Sequence, residues 1–309
     1  MTIRFDDQVV IVTGSGNGLG KSHALEFARR GARVVVNDLG GARDGSGASS
    51  EAAQAVVEEI ESNGGEAIAN GANVAKFDQV EAMVGEAIDK WGRVDVLVNN
   101  AGILRDKTFA KMELADFQMV VDVHLMGSVN CSKAVWEHMR ERQYGRIVMT
   151  TSSSGLYGNF GQSNYGAAKF ALVGFMNTLC LEGHKYGIKV NALSPVAATR
   201  MTEDLMPEQI LTLLQPEAVT PAVIFMASED APNRQIIAAG AGGFAKVTIQ
   251  ETPGIFLKPD ERTAENVAGG WDRIAATDGM RELQFGGEQT EKFLTEAAKA
   301  LGIDLGSES

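Results

Sequence analysis

The chain has 309 residues, of which 35 are glycine and 7 proline; 44% are hydrophobic and the net charge is −12. That hydrophobic content excludes disorder as the dominant state, and glycine without a Gly-X-Y period excludes collagen. The acidic balance excludes a general nucleic-acid binder, whose surface would be basic, but not a phosphate-bearing ligand held by backbone amides.

Cys131 and Cys180 fit no CxxC pattern and read as small core residues of a reduced protein. His23, His124, His138 and His184 show no ligand spacing, so no metal is expected. The start, MTIRFDDQVVIVTG, has no charged-then-apolar leader. No apolar run approaches the ~18 residues of a membrane span, and GSES at the end is not a peroxisomal address. These features predict a soluble, cytoplasmic protein with no membrane or nucleic-acid partner.

In chain order, short β-branched runs alternate with helical patterns. Residues 9–13 form a strand that ends in glycines, and 19–30 follow with helical spacing. Residues 33–37 are a second strand, 50–62 a helix, 67–69 a weak third strand and 80–91 a helix. Then come a strand at 94–98, a long helix at 117–141, a strand at 146–150, a helix at 165–186 and a strand at 188–193. Residues 235–239 can add another. Strands of about five residues, apolar on both sides and alternating with helices, predict an α/β fold: a doubly wound parallel sheet with helices on both faces. The rhythm stops near residue 245. Residues 263–277 and 288–301 read as amphipathic helices of a C-terminal extension, 246–309. It is expected to pack on the 1–245 domain or on a partner subunit.

Residues 13–20 read Thr-Gly-Ser-Gly-Asn-Gly-Leu-Gly, between the first strand and the first helix. Small residues there let a pyrophosphate approach the backbone, and the helix N-terminus offers free N–H groups. The spacing is not GxGxxG. It is also one residue away from the ATP-binding GxxxxGK[ST] loop, with Ser15 where that loop needs glycine. Asp38 ends the second strand. A carboxylate there can accept both hydroxyls of an adenosine ribose and repel a 2′-phosphate, which favours NAD over NADP. Arg43, five residues on, is the group that could serve a 2′-phosphate instead.

Four further features join the glycine turn. Asn99-Asn100-Ala101-Gly102 directly follows the strand 94–98, and Ser152 lies just beyond the strand 146–150. Tyr165-Gly166-Ala167-Ala168-Lys169 begins thirteen residues later, and Ser194-Pro195 closes the strand that ends at Leu193. With TGxxxGxG, and in this order, they resemble the short-chain dehydrogenase/reductase family over about residues 5–245. The resemblance implies a Rossmann-like fold, an NAD cofactor and an oxidoreductase. It implies Ser152, Tyr165 and Lys169 as catalytic residues. Tyr165 would move the alcohol proton if its pKa falls from about 10 toward neutrality. Lys169, one helical turn on, would favour the phenolate and hold the nicotinamide ribose. Ser152 would hydrogen-bond the substrate oxygen. The same resemblance implies that Gly14, Asn17, Gly18 and Leu19 line the pyrophosphate and that Asn73 and Val74 flank the adenine. Asn99, Ala101 and Gly102 would pass the adenosine ribose, and the segment 196–200, with Val196, Ala198 and Thr199, would cover the nicotinamide.

Two departures narrow the resemblance. His124 stands where most members have an asparagine that binds a water in a proton relay; a histidine could keep the relay or be structural. Pro195-Val196 stands where many have Pro-Gly. With them, NDLGG at 37–41, NNAGILRD at 99–106, HLMGS at 124–128 and the run 144–169 are similar to one branch. That branch is the (3R)-hydroxyacyl-CoA dehydrogenase unit of type 2 multifunctional β-oxidation enzymes and its bacterial single-domain relatives. It implies NAD-linked oxidation of a 3-hydroxyacyl-CoA, fatty or sterol-derived, to a 3-oxoacyl-CoA. Other readings are a 17β-hydroxysteroid dehydrogenase, an NADPH-dependent 3-oxoacyl-carrier-protein reductase and a non-catalytic NAD-binding module. Leu156, Phe160 and Met201, with Met112, Leu205 and Met206, are candidates for an apolar substrate wall. Arg105, Lys107, Lys111 and Arg200 are candidates for the phosphates of CoA. In this family the long central helix and the helix after Tyr165 usually pack across a two-fold axis. Ala167, Ala168, Ala171 and Gly174 would allow close approach there, so a homodimer or homotetramer is expected.

Overall fold

Alternation of β-branched runs with amphipathic stretches produces β1 (Val9–Thr13), α1 (Gly18–Arg29), β2 (Arg33–Asn37), α2 (Glu51–Ser62), β3 (Glu66–Asn70), α3 (Phe77–Trp91) and β4 (Val96–Asn99). The central part adds α4 (Leu114–Val121), α5 (Gly127–Glu141), β5 (Gly145–Thr150), α6 (Ser153–Tyr157), α7 (Ser163–Gly183) and β6 (Ile188–Val196). Then follow α8 (Glu208–Leu213), α9 (Thr220–Ala227), β7 (Ile236–Gly240) and β8 (Gly243–Val247). The last stretch carries α10 (Ala264–Gly269), α11 (Trp271–Ile274) and α12 (Gly286–Leu301). This computed structural model describes residues 2–42, 44–47, 49, 51–197 and 207–305.

The sheet order is β3-β2-β1-β4-β5-β6-β7-β8, with parallel pairing throughout except at β8. Successive residues of β1 point to opposite faces. Val10 and Val12 enter the core under α1, α2 and α9, while Val9 and Ile11 enter the core under α3, α5 and α7. That two-sided burial is why the strands read as unbroken apolar runs. The antiparallel β8 departs from the expected all-parallel sheet. It returns through Ala241 (φ 48°) and Gly242 (φ 78°) and is exposed along most of its length, so no buried apolar run announces it. The chain divides into two units, Met1–Val247 and Thr248–Ser309, so residue 245 falls inside β8 rather than at a boundary. In the second unit, Lys292 Nζ reaches Glu251 Oε1 at 2.7 Å and the Thr252 carbonyl at 2.6 Å, which ties α12 to the segment after β8.

The expected helix at 117–141 begins earlier and is not uniform. Between α4 and α5 the residues Asp122–Met126 wind as a π-helical turn, with one extra residue in the turn. The turn carries His124 inward, where 2% of it is exposed. Among the described residues, the stretch Glu208–Ala227 matches a membrane span in length and composition only. It is broken into α8, a 3₁₀ turn at Pro216–Ala218 and α9, and α9 is buried in the first unit's core.

His23, on α1, is fully buried; its Nδ1 lies 2.8 Å from Thr220 Oγ1, which also meets Ser22 Oγ at 2.7 Å. Burial pushes its imidazole down to about 3 from 6.5. The unfolded chain therefore binds the proton first, and the folded state loses stability as pH falls from about 6.5 toward 3. The expected slope from this residue is about 1.4 kcal/mol per pH unit. Urea unfolding at pH 7 and pH 5 should show a shallower pH dependence for His23→Leu than for the parent; equal slopes would refute it.

Candidate active site

The strand order reverses between β1 and β4, and the carboxyl ends of the parallel strands leave a crevice there. Beyond β1 the chain turns through Gly14 (φ 63°) and Gly18 (φ 53°), left-handed values that glycine adopts without strain. Asn17 precedes α1 in an extended conformation and its side chain does not cap the helix. The first-turn N–H groups of α1 are thus left without a side-chain cap where Asn17, Gly18 and Leu19 line the cleft. An uncapped helix N-terminus is a fit for a pyrophosphate.

Two side chains fix this turn. Asn100 Nδ2 donates to the carbonyls of Thr13 and Gly14, both at 2.9 Å. Thr13 Oγ1 accepts from the backbone N–H of Asn100 (3.0 Å) and of Ala101 (3.1 Å). Asp38 accepts from Gly16 N–H at 2.8 Å and from Gly40 N–H at 2.7 Å, one on each oxygen. Its carboxylate is thereby aimed at the glycine turn, with lone pairs left for hydroxyl donors.

Across the cleft, Ser152 ends the loop after β5 and caps α6, accepting from Ser154 N–H at 3.2 Å. Tyr165 and Lys169 share one face of α7. Lys169 is 3% exposed; its Nζ donates to the Thr150 carbonyl at 2.6 Å and lies 5.5 Å from the Tyr165 ring centre. Burial lowers the Lys169 ammonium to about 7. For Tyr165, burial raises the phenol, the Ser152 hydrogen bond pulls it down, and the Asp106 charge pushes it up. The expected fall of the Tyr165 pKa is thus not produced by the chain's own groups: burial outweighs them, and it disfavours charge on Lys169 as well. The cleft holds about 410 Å³. A proton acceptor, a cation and a hydroxyl around one space suit proton transfer at a substrate oxygen.

The chain matches the model of the short chain dehydrogenase family over residues 8–210. It belongs to that family. The dehydrogenase is therefore an oxidoreductase. It is 48% identical to peroxisomal multifunctional enzyme A of Dictyostelium discoideum over 90% of this chain, and covers 62% of that relative. Full-length peroxisomal multifunctional enzyme type 2 from Drosophila melanogaster superposes with a TM-score of 0.80 at 35% identity, over 97% of this chain and 51% of that one. A 7α-hydroxysteroid dehydrogenase complexed with NADH and 7-oxo glycochenodeoxycholic acid superposes with a TM-score of 0.70 at 30% identity, over 78% of this chain and 95% of that one. The chain thus spans little more than half the length of the multifunctional relatives described here.

In this dehydrogenase the cleft gathers Gly14, Asn17, Gly18, Leu19, Gly102, His124, Ser152, Tyr165, Lys169 and Val196. Asp38, Asn73, Val74, Asn99 and Ala101 lie outside its lining. Asp38 is joined to the glycine turn, as above. Val74 is buried, its carbonyl accepting from Asn130 at 2.9 Å, and Asn73 Oδ1 caps Ala75 N–H at 3.0 Å. Asn99 turns its side chain down to Ser132, at 3.3 Å, and Asn100 rather than Asn99 reaches the turn. Ala198, Thr199 and Met201, with Arg43, Arg200, Leu205 and Met206, lie outside the described residues.

Of the expected apolar wall, the described residues Leu156 and Phe160 do not line the cleft. Phe160 is 90% exposed and Leu156 packs against the core. Ser154, Asn159 and Gln162 line it instead. Gln162 Oε1 accepts from Ser154 (2.7 Å) and Asn159 (3.0 Å), and Gln162 Nε2 donates to Asp106 at 2.7 Å. Sequence reasoning sought apolar residues in this glycine-rich loop and passed over the polar ones. Of the suggested phosphate cations, Arg105 and Lys107 both bind Asp116, at 2.7 and 3.2 Å. Ala168 is buried in the core with Ile103 and Val120.

Proposed function

We propose that the protein oxidises a 3-hydroxyacyl-CoA to a 3-oxoacyl-CoA with NAD. The observation that carries this reading is the joining of Ser152, Tyr165 and Lys169 in one cleft with the glycine turn. Gly14, Asn17, Gly18 and Leu19 would hold the pyrophosphate, and Asp38 the adenosine ribose, with its negative charge opposing a 2′-phosphate. The nicotinamide, when bound, supplies the hydride acceptor and a positive charge near the phenol. Ser152 positions the alcohol oxygen. Tyr165 takes the hydroxyl proton, and the Lys169 ammonium beside it stabilises the phenolate. Asn159 and Gln162 offer amides to the polar part of a thioester substrate.

NADH or NADPH production should be followed with short, long and sterol-derived 3-hydroxyacyl-CoAs and with a free steroid alcohol. The expected result is turnover with NAD and a 3-hydroxyacyl-CoA. Turnover only of the free steroid would make the protein a hydroxysteroid dehydrogenase. Preference for NADPH and a 3-oxoacyl substrate would make it a reductase, and dinucleotide binding without turnover of any substrate would leave a binding module.

A homodimer or homotetramer belongs to the same proposal. The outward face of α7 presents Ser163, Ala167, Phe170, Gly174, Thr178 and Leu181, all exposed and none charged. An uncharged stripe along a 21-residue helix favours a helix partner. Light scattering should give two or four times the monomer mass; the monomer mass alone would refute it.

A further inference from the structure

The ring of His124 occupies the space that a side chain at residue 102 would need. A Cβ on Gly102 would stand 2.3 Å from His124 Cε1 and 3.0 Å from its Nδ1. The same ring engages the next residue through one atom. Nε2 lies 2.8 Å from the Ile103 carbonyl oxygen and 3.1 Å from the Ile103 amide nitrogen. Protonated at Nε2, the imidazole donates to the carbonyl; protonated at Nδ1, it accepts from the amide. Either neutral tautomer holds Ile103. The ring also stands edge-on to Tyr165, with centres 5.1 Å apart and planes at 90°.

We propose that His124 is a positioning residue: its ring, seated beside Gly102 and fastened to the backbone of Ile103, holds the segment 99–103 against the glycine turn and does not carry the proton. This rests on reading the cleft as a nicotinamide dinucleotide site. The connection is continuous. The π-helical turn brings His124 inward, His124 holds Gly102 and Ile103, and Asn100 in the same segment holds Thr13 and Gly14. The central helix is thereby registered to the turn that receives the pyrophosphate. Two further observations oppose a proton-carrying ring. His124 Nδ1 packs against Gly102, 3.0 Å from where a Cβ would stand, and is buried without a partner among the described residues. Burial and the nearby Lys169 charge hold the imidazole well below its ordinary pKa, which makes it a weak base.

The test compares the parent with His124→Ala, Gly102→Ala, the double variant and His124→Asn. NAD affinity is read by calorimetry without substrate. Amide hydrogen exchange of Ile103 is read without any ligand, and the pH profile of kcat is measured where there is turnover. Loss of the lock removes about one buried hydrogen bond, so His124→Ala and Gly102→Ala should each weaken NAD binding about tenfold. Ile103 exchange should quicken in both, and the kcat pH midpoint should stay in place. The double variant should be no worse than either single one, because the added methyl enters the vacated space. His124→Asn, whose amide offers a donor and an acceptor, should regain most of the affinity. The proposal is overturned by wild-type NAD affinity and Ile103 protection in His124→Ala. It is equally overturned by a loss confined to kcat with a shifted pH midpoint, or by losses that multiply in the double variant. If His124→Ala does not fold, Gly102→Ala and His124→Asn still decide. If the parent binds no dinucleotide, the proposed function fails, while the exchange measurement still judges the lock.

Discussion

Replacing Tyr165 by Phe should lower turnover by about 10²–10⁴-fold, the contribution of a positioned general acid or base. NAD affinity should stay as in the parent. The substitution removes only the hydroxyl. The ring that meets His124 edge-on remains, and so does the face toward Lys169. The hydroxyl is the group that Ser152 hydrogen-bonds, so its loss acts at the reacting oxygen and not at the fold. Steady-state kinetics and calorimetry on the same preparation check both halves. An unchanged rate would remove Tyr165 from the mechanism, and a parallel loss of NAD affinity would make it a binding residue.

Gly20→Ala should abolish dinucleotide binding and destabilise the first unit. A Cβ there would lie 2.2 Å from the Gly14 carbonyl oxygen and 2.6 Å from Asn100 Nδ2. Neither atom can yield easily. The carbonyl belongs to the turn itself, and Asn100 Nδ2 is the donor that fixes the turn. Overpacking of this kind costs about 1–3 kcal/mol, and the shift falls on the groups that would meet a pyrophosphate. Thermal unfolding should show a lower Tm, and calorimetry should show no NAD binding under conditions where the parent saturates. Retained affinity would mean that the pyrophosphate does not rest on this turn.

Much of this was legible in the residues. β1, β2, β5 and β6 are buried on both faces, which forces the apolar runs that reveal them. Tyr165 and Lys169 were singled out by the family resemblance, and their four-residue spacing placed them on one helix face. What was not legible depends on contacts between distant parts of the chain. Asn100 matters through Thr13 and Gly14, 87 and 86 residues away in sequence, and nothing near Asn100 records that. The polar lining from Gln162 depends on Asp106, and the cations Arg105 and Lys107 are taken by Asp116. β8 gave no signal because an exposed edge strand need not be apolar. The π-helical turn gave none because its residues include no glycine or proline to break a helix, so the pattern reads as a continuous one.

That turn has an evolutionary consequence. A regular α-helix advances about 100° per residue, so the wider turn takes up one extra residue and the inward positions of α5 run one residue out of step in sequence with those of α4. Such a turn is equivalent to a single-codon insertion that the fold absorbed without losing either half of the helix. Deleting one residue within 122–126 should restore regular winding with both helix faces kept, at the loss of the turn that carries His124 inward. The helix would become more ideal and the protein worse. Alignments that treat this stretch as gap-free helix would pair His124 with the wrong residue wherever a relative lacks the extra one.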